Sequence, residues 1–328
     1  MINEIAQEFT DFLNEWHSYP EPYDDKLDAW LYGEYAKAKA KRNFIDWKSV
    51  YFSPSSANKD DRELYVKALK MPKDTDDVKP WQRRWTAQGT AVGDWLQREI
   101  LLAEKHFERY TFEKPPFVMA RTNDGQPFFE DFVHGQFKFE HNGEKFSLIG
   151  TCDGVLIHRP TGKRIGLEIK SKQTSYSETS ESRMKAPKDD HIAQVTCYSL
   201  MYDLDAYLIV YVNTSKKAWF MTDDEFAKSP DFRVFGVDVT EEMKRKVLDK
   251  FAGVARAVRE QTPPKLNLDK FRFNNFKRSC ALSLTDDEFN EIKDEVKRVM
   301  RSGLPNWKKG AYYEAFEFIR DVREQEAS

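Results

Sequence analysis

The 328-residue chain is poor in cysteine and in long apolar runs. Its three cysteines, Cys152, Cys197 and Cys280, are far apart and odd in number. A fully paired disulfide framework and a four-cysteine metal site within one chain are therefore both excluded, and reduced thiols are the simplest interpretation. No apolar run approaches the roughly 18 residues that a membrane span needs, so we expect no membrane partner.

An excess of charge of one sign is also missing. The 52 Lys and Arg residues against 55 Asp and Glu residues give a formal net charge of −3. No global positive field favours a polyanion, so any nucleic-acid site has to come from local clustering of basic residues. The first residues, MINEIAQEFTDF, lack the basic-then-apolar order of a signal peptide, and the expected location is the cytoplasm.

The residues that are present predict a folded α/β chain, with 40% hydrophobic and 14% aromatic residues. Helical periodicity at 1–45 and 81–107 gives way after Pro115-Pro116 to alternating β patterns at 117–170. A helix at 190–203 and a buried strand at 206–214 follow. We predict a helical region at 1–48, a core at 49–262, and a basic, aromatic segment with C-terminal helices at 263–328.

The segment 147–172 predicts a β-hairpin that turns at Pro160-Thr161-Gly162. Residues whose numbers sum to about 322 then face each other, which places Asp153 beside Glu168 and Ile169. By the period-two rule, Glu168 and Lys170 share one strand face, which we expect to line a cleft. Two carboxylates therefore converge from adjacent strands.

Carboxylate oxygens at one point are suitable ligands for Mg²⁺, which completes its shell with water and substrate phosphate oxygens. Lys170 lies close enough on the same face to orient a water or to offset charge on a scissile phosphate. The alternative is that Glu168 and Lys170 form a solvated strand pair and that Asp153 is a surface acid near the turn.

The helix after this hairpin carries a polar stripe. His191, Gln194 and Tyr198 fall at i, i+3 and i+7, where a merely packed helix would favour aliphatic residues. Each could reach phosphates or the attacking water. The alternative is that Tyr198 is an ordinary core aromatic and that His191 faces solvent.

Three motifs in this order resemble those of the PD-(D/E)XK nuclease superfamily, specifically its RecB-like and Cas4-like branch, which is common among phage exonucleases. Gly150-Thr151-Cys152-Asp153 matches the GxxD motif, Glu168-Ile169-Lys170 matches ExK, and the segment from Gln194 to Tyr198 matches QxxxY. The serine-rich segment 52–56 with Arg62 also looks like the start of many such domains.

The resemblance implies a restriction-endonuclease-like core with helical additions at both ends. Its central mixed β-sheet would come from the 117–170 and 206–214 strands, flanked by the 81–107 and 190–203 helices. Implied site residues are Asp153 and Glu168 as ligands of Mg²⁺ or Mn²⁺, the Ile169 carbonyl as a third ligand, Lys170 as the catalytic lysine, and Gln194 and Tyr198 as substrate-positioning residues.

Two departures from the family pattern affect the expected cofactors. Many relatives carry a metal-binding His in a G-x-x-x-H pattern, but here Gly93 stands at the His position after Gly89. The neighbouring Asp94, Gln97 or Glu99 is then the expected substitute. The cysteine spacing of cluster-bearing relatives is also missing, so no iron–sulfur cluster is expected, and Cys152 and Cys197 are interpreted as small apolar fillers.

Candidate DNA contacts come from local basic residues. They are His191, Arg83, Arg84, Lys172, Lys270, Arg272, Lys277 and Arg278. Aromatic residues are interleaved with several of them, which suits backbone contact with base stacking. The alternative is that the phenylalanines of 271–276 and the tryptophans beside Arg83 and Arg84 are buried in the core.

The expected function is a metal-dependent DNA exonuclease that hydrolyses phosphodiester bonds from DNA ends. By resemblance, it would act in phage or prophage recombination or replication, in the host cytoplasm, with a single-strand-annealing or recombination protein as a further partner. The alternatives are a structure-specific or restriction-type endonuclease on the same site, and a catalytically decayed DNA-binding subunit.

Overall fold

The computed structural model describes residues 1–41, 44–75 and 78–327. The α-helices are α1 (Ile2–Trp16), α2 (Asp25–Ala40), α3 (Asp61–Ala68), α4 (Pro80–Thr111), α5 (Glu130–Val133), α6 (Asp189–Tyr202), α7 (Asp223–Lys228), α8 (Glu241–Glu260), α9 (Leu268–Phe271), α10 (Lys277–Leu282), α11 (Asp286–Arg301) and α12 (Asn306–Ala327). The strands are β1 (Tyr51–Phe52), β2 (Phe117–Met119), β3 (Gly135–His141), β4 (Glu144–Gly150), β5 (Gly154–His158), β6 (Lys163–Lys172), β7 (Ala206–Asn213) and β8 (Phe232–Asp238). No helix in these ranges is long and apolar enough to cross a membrane.

The chain divides into two compact units, each assembled from separate stretches of sequence. The first consists of Met1–Asp46, Val78–Phe137 and Ile149–Arg245, and the second of Trp47–Asp77, Lys138–Leu148 and Lys246–Ser328. The boundaries that composition and motifs predict after residues 48 and 262 stay a prediction.

The first unit is built on a mixed sheet with the strand order β2-β5-β6-β7-β8. Strand β6 pairs antiparallel with β5 and parallel with β7, and α6 connects β6 to β7. Strand β7 is buried along its whole length, as expected for a central strand covered on both faces. The predicted mixed α/β architecture is confirmed.

Helices cover both faces of this sheet. Helix α4 packs on β2 and β6, and α1 packs on β8, with its apolar stripe of Ile2, Ile5, Phe9, Phe12 and Trp16 buried. Helix α6 packs on β6 and β7. The predicted helices at 81–107 and 190–203 are confirmed as α4 and α6, and each begins or ends within a few residues of the predicted bounds.

The hairpin register is close to the predicted one. Gly154 pairs with Leu167 and His158 with Lys163, so that paired residue numbers sum to one less than expected. Gly162 has a φ of +68°, a conformation that L side chains rarely adopt, and this explains the glycine in the turn.

Two details of the predicted sheet are wrong. The segment that leads into β3 was expected to be strand, but Glu130–Val133 form the short helix α5. Strands β3 and β4 lie in a separate three-stranded sheet of order β1-β4-β3, because the chain leaves its extended path between Gly150 and Gly154. Strand β8 was not predicted at all.

In the second unit, Arg62 is fully buried rather than available to a ligand. Its guanidinium donates to the carboxylate of Glu288 at 2.6 Å, to the Pro264 carbonyl at 3.0 Å and to the Ser283 hydroxyl at 3.0 Å. A buried cation needs such a complete set of acceptors, so Arg62 holds the elements of this unit together.

Gly166 on β6 provides a direct test of the packing around the central strands. A Cβ at this position would lie 2.0 Å from the ring of Tyr207, which is itself fully buried on β7. We therefore expect Gly166→Ala to destabilise the protein by about 1–3 kcal/mol, the usual cost of overpacking, in denaturant unfolding.

The matched control is Gly33→Ala in α2, where nothing lies within 4 Å of the added Cβ. Alanine is favoured over glycine in a helix, so this change should be neutral or stabilising by up to about 1 kcal/mol. Equal stability of the two variants would contradict the packing described for β6 and β7.

Candidate active site

The candidate site lies at a fork where β5 separates from β6. Strand β5 pairs with β6 only as far as Leu167, whereas β7 pairs with β6 as far as Lys172. Beyond the fork, the backbone N–H of Ile169 donates instead to Oδ2 of Asp153 at 2.5 Å. The Asp153 carboxylate thus takes the place of a strand partner, and this fixes it beside the open edge of β6.

Glu168 brings a second carboxylate to the fork. Its side chain is almost completely buried, with 1% of its surface exposed. Oε1 pairs with Nζ of Lys170 at 2.5 Å, while Oε2 is buried without a hydrogen-bond partner. Burial raises the pKa of Glu168, and burial together with the charge of Glu168 raises the pKa of Asp153 to about 7.

Lys170 links this pair to α6. Burial opposes its positive charge, but the adjacent Glu168 and Asp153 carboxylates raise its pKa overall. Nζ donates to Oε1 of Gln194 at 3.0 Å, and the Gln194 amide donates to the hydroxyl of Tyr198 at 3.0 Å. The structure therefore brings all three predicted motifs into one hydrogen-bonded chain.

His191, the first residue of the predicted stripe, has a different environment. Nδ1 lies 2.7 Å from the hydroxyl of Tyr211, which accepts from the backbone N–H of Lys188. Burial and the nearby charge of Lys170 lower the pKa of His191 to about 4. The imidazole is thus neutral at physiological pH, and its role as a DNA contact stays a prediction.

The three expected substitutes for the missing His lie on α4 in different surroundings. Gln97 is buried, and its amide donates to the Asp153 carbonyl at 2.6 Å, so it belongs to the site. Glu99 accepts from the indole N–H of Trp16 at 2.9 Å and lies 3.6 Å from Nε2 of His17, which directs it away. Asp94 is exposed on α4, and loss of part of its hydration together with the charge of Asp131 raises its pKa.

One site residue was missed at the sequence level. The backbone bridge between Phe129 and Gly154 places Glu130 opposite Asp153. Burial and the charge of Asp153 raise the pKa of Glu130 to about 7. The only available signal was its position across from Asp153, which depends on the irregular chain path before α5.

The donors at the fork suit a hard divalent cation. Asp153, Glu168 and the carbonyl of Ile169 offer oxygen ligands, and the unpartnered Oε2 of Glu168 has lost its hydration without receiving a donor in return. Within residues 1–41, 44–75 and 78–327, no three His, Cys, Asp or Glu side chains form a ready-made metal cluster.

The remaining predicted DNA contacts are dispersed. Lys172 is buried, lies 5.2 Å from the centre of the Tyr211 ring, and has its pKa lowered by burial. Arg83 and Arg84 are exposed on α4 in the first unit. Residues of the basic, aromatic segment in the second unit have protein partners: Lys270 bonds the Asn58 carbonyl, the backbone N–H of Lys277 bonds Asp74, Arg278 pairs with Glu326, and Arg272 lies beside the Phe273 ring.

The aromatic residues near these cations differ in how deeply they are buried. Phe271 and Phe276 are buried, as the alternative interpretation of that segment held, whereas Phe273 is exposed. The three cysteines are buried as free thiols, in agreement with the predicted filler role of Cys152 and Cys197.

Comparisons with known proteins give only distant similarities. No protein-family model matches the chain, and no curated protein matches it. The protein SSO0001 is 13% identical, with a TM-score of 0.39 over 79% of this chain and 98% of its own. The alkaline exonuclease LHK-Exo of Laribacter hongkongensis is 12% identical, with a TM-score of 0.37 over 66% of this chain and 91% of its own.

A phage-related exonuclease of Haemophilus somnus 129PT is 14% identical, with a TM-score of 0.36 over 65% of this chain and 95% of its own. TM-scores below 0.5 are too low to transfer an activity. The chemistry of the fork therefore has to follow from its own residues.

Glu130 generates a stability prediction. Because its pKa in the folded protein is raised to about 7, the ionised form destabilises the fold above that pH. With EDTA present, Glu130→Gln should raise the melting temperature at pH 8 by about 2–4 °C. The gain should vanish near pH 4, where the carboxyl is protonated in both the folded and unfolded states.

Glu181→Gln is the matched control, since Glu181 is exposed and pairs with Arg233 at 3.5 Å. An exposed pair of this kind contributes at most about 1 kcal/mol, so no pH-dependent gain is expected. A melting temperature that falls in Glu130→Gln at pH 8 would contradict the repulsion described between Glu130 and Asp153.

Proposed function

We propose that this protein is a metal-dependent nuclease that hydrolyses the phosphodiester bonds of DNA. The observation that carries the proposal is the meeting of Asp153, Glu168 and Lys170 at the fork, where Oε2 of Glu168 is buried without a partner. An unsatisfied buried carboxylate oxygen is costly, and a bound cation beside the second carboxylate and the lysine would remove that cost.

The proposed metal ligands are Asp153, Glu168 and the carbonyl of Ile169, with Glu130 as a further carboxylate beside them. When bound, Mg²⁺ or Mn²⁺ would supply Lewis-acid activation of water and of the phosphate group. Glu130, whose pKa burial and the Asp153 charge raise, would hold a proton beside Asp153, and Gln97 would fix the Asp153 backbone through its carbonyl.

Lys170 is proposed to act as a cation and not as a base. Its pKa is raised, so the ammonium stays protonated at physiological pH. A protonated amine can donate to the attacking water and to a non-bridging phosphate oxygen, where negative charge develops. Its present contact with Glu168 marks the position from which it would turn towards substrate.

Gln194 and Tyr198 are proposed to position Lys170. The Gln194 carbonyl oxygen accepts from Nζ, and the Tyr198 hydroxyl fixes the amide in that orientation. Since neither side chain lies in the carboxylate pair, their loss should reduce the rate less than the loss of Lys170 itself.

The finer proposal is an exonuclease that needs a DNA end. Glu168 is almost fully buried, and a single strand end can approach such a group more easily than the middle of a duplex can. The order of the three motifs, which resembles that of phage exonucleases, supports a role in phage or prophage recombination or replication in the host cytoplasm, beside a single-strand-annealing or recombination protein.

Substitutions at the fork test the chemistry. Asp153→Asn, Glu168→Gln and Lys170→Ala should each reduce the cleavage of end-labelled linear DNA, with Mg²⁺ or Mn²⁺, by about 10²-fold or more. Gln194→Ala and Tyr198→Phe should reduce cleavage less. Circular dichroism of each variant confirms that the fold is retained.

Lys163→Ala is the matched control for Lys170→Ala. Lys163 lies on the same strand but before the fork, 4.0 Å from Asp238, and its loss should leave the rate unchanged. Normal cleavage by the Lys170 variant would remove that residue from the mechanism. Failure of the wild type to cleave with either metal would favour the DNA-binding subunit.

The requirement for an end has a separate test. Linear DNA should disappear over time, while covalently closed circular DNA of the same sequence persists until a double-strand cut makes it a substrate. Mononucleotide products would agree with this result. Nicked or linearised circles that appear as fast as linear DNA is lost would contradict the exonuclease and favour the endonuclease.

A further inference from the structure

The first turns of α4 carry aromatic side chains that the core does not use. Every residue from Trp81 to Gln88 is exposed, and Trp81 and Trp85 keep 62% and 46% of their surface exposed. Residues four apart lie on the same side of a helix, so the two indoles are neighbours. Tryptophan is usually highly buried, and the sequence alternative of buried tryptophans is wrong here.

Positive charge accompanies these indoles. Arg84 lies three residues after Trp81 on the same side of the helix, and Arg83 precedes it. Neither arginine forms an ion pair with a residue in the described part of the chain, and the first turn of α4 contains no acidic residue. We call Trp81, Arg83, Arg84 and Trp85 the tryptophan platform.

The chemistry of the platform fits one kind of occupant. Indole faces stack on nucleobases, and unpaired guanidinium groups attract phosphates. In a duplex, the base faces are already covered by their neighbours. Single-stranded DNA exposes its base faces and its phosphates at the same time.

The platform is connected to the fork by regular structure. Helix α4 continues from Trp85 to Gln97, which donates to the Asp153 carbonyl, and the 12 intervening rises of about 1.5 Å give a distance of about 18 Å. Beside this stretch, the Gln173 amide donates to the Trp85 carbonyl at 3.3 Å. Gln173 follows directly on β6, the strand that carries Lys170.

We propose that the tryptophan platform binds single-stranded DNA about 18 Å along α4 from Gln97, the residue that contacts Asp153. Bases stack on Trp81 and Trp85, while Arg83 and Arg84 contact the backbone. The binding site stands on its own, but its role in holding the strand that is being cleaved rests on the proposed nuclease function. Cleavage of strands long enough to reach the platform then depends on it, and cleavage of very short strands does not.

Binding is measured first, by fluorescence anisotropy of a labelled oligothymidylate of about 20 nucleotides in EDTA, where no cleavage occurs. The double variant Trp81→Ala/Trp85→Ala should bind about tenfold or more weakly, because each stacked base adds substantially to affinity. Arg83→Ala/Arg84→Ala should flatten the slope of log affinity against log salt by about 1.4, as expected for two lost phosphate contacts on a single strand.

Phe112→Ala is the matched control, since Phe112 is also an exposed aromatic residue but caps the opposite end of α4. It should bind the oligonucleotide as the wild type does. Equal binding by the wild type and the double tryptophan variant would overturn the platform. An equal loss of affinity for blunt duplex DNA would overturn its preference for single strands.

Cleavage with Mn²⁺ then separates this proposal from the nuclease proposal. The double tryptophan variant should degrade the long oligonucleotide about tenfold or more slowly than the wild type, yet cleave a trinucleotide at the wild-type rate. A parallel loss on both lengths would overturn the platform's role in cleavage. If the wild type cleaves neither substrate but the binding difference persists, the platform stands and the nuclease function fails.

Discussion

Glu168 and Lys170 stand two residues apart on β6, and their buried ion pair is the interaction on which the site depends. A carboxylate with almost no exposed surface is strongly destabilised unless it is paired, and Lys170 satisfies only one of its two oxygens. The charge of Lys170 in turn requires the acceptor that Gln194 provides. Glu168, Lys170 and Gln194 are therefore each held in place by an ion pair or hydrogen bond to the next.

The fork in the sheet explains why these charged groups gather at one place. Strand β6 is clamped by β7 along its second half, but it loses β5 after Leu167. Asp153 then accepts the backbone N–H that a strand partner would have taken. The same break that leaves the edge of β6 without β5 thus brings a second carboxylate beside Glu168, and Glu130 adds a third carboxyl group whose pKa is raised. Such crowding destabilises a fold without a cation and is typical of functional sites.

Local patterns predicted the parts of the site that depend on neighbouring residues. The turn at Pro160-Thr161-Gly162 fixed the register of Asp153 against Glu168 to within one residue, and the stripe from Gln194 to Tyr198 does reach Lys170. The missed parts depend on long-range packing. Strand β8 forms at a sheet edge on which α1 packs, and Glu130 lies opposite Asp153 because of an isolated backbone bridge. The exposure of Trp81 depends on which other elements pack against α4, and the local sequence does not contain that information.

The measurement that tests the account most directly is Mn²⁺ binding by isothermal titration calorimetry at neutral pH, without DNA. The wild type should bind the ion saturably, and the double variant Asp153→Asn/Glu168→Gln should lose that binding. Because Lys170 competes for Oε1 of Glu168, Lys170→Ala should bind Mn²⁺ at least as tightly as the wild type. The same affinity in the wild type and in the Asp153 and Glu168 double variant would contradict a metal site at the fork.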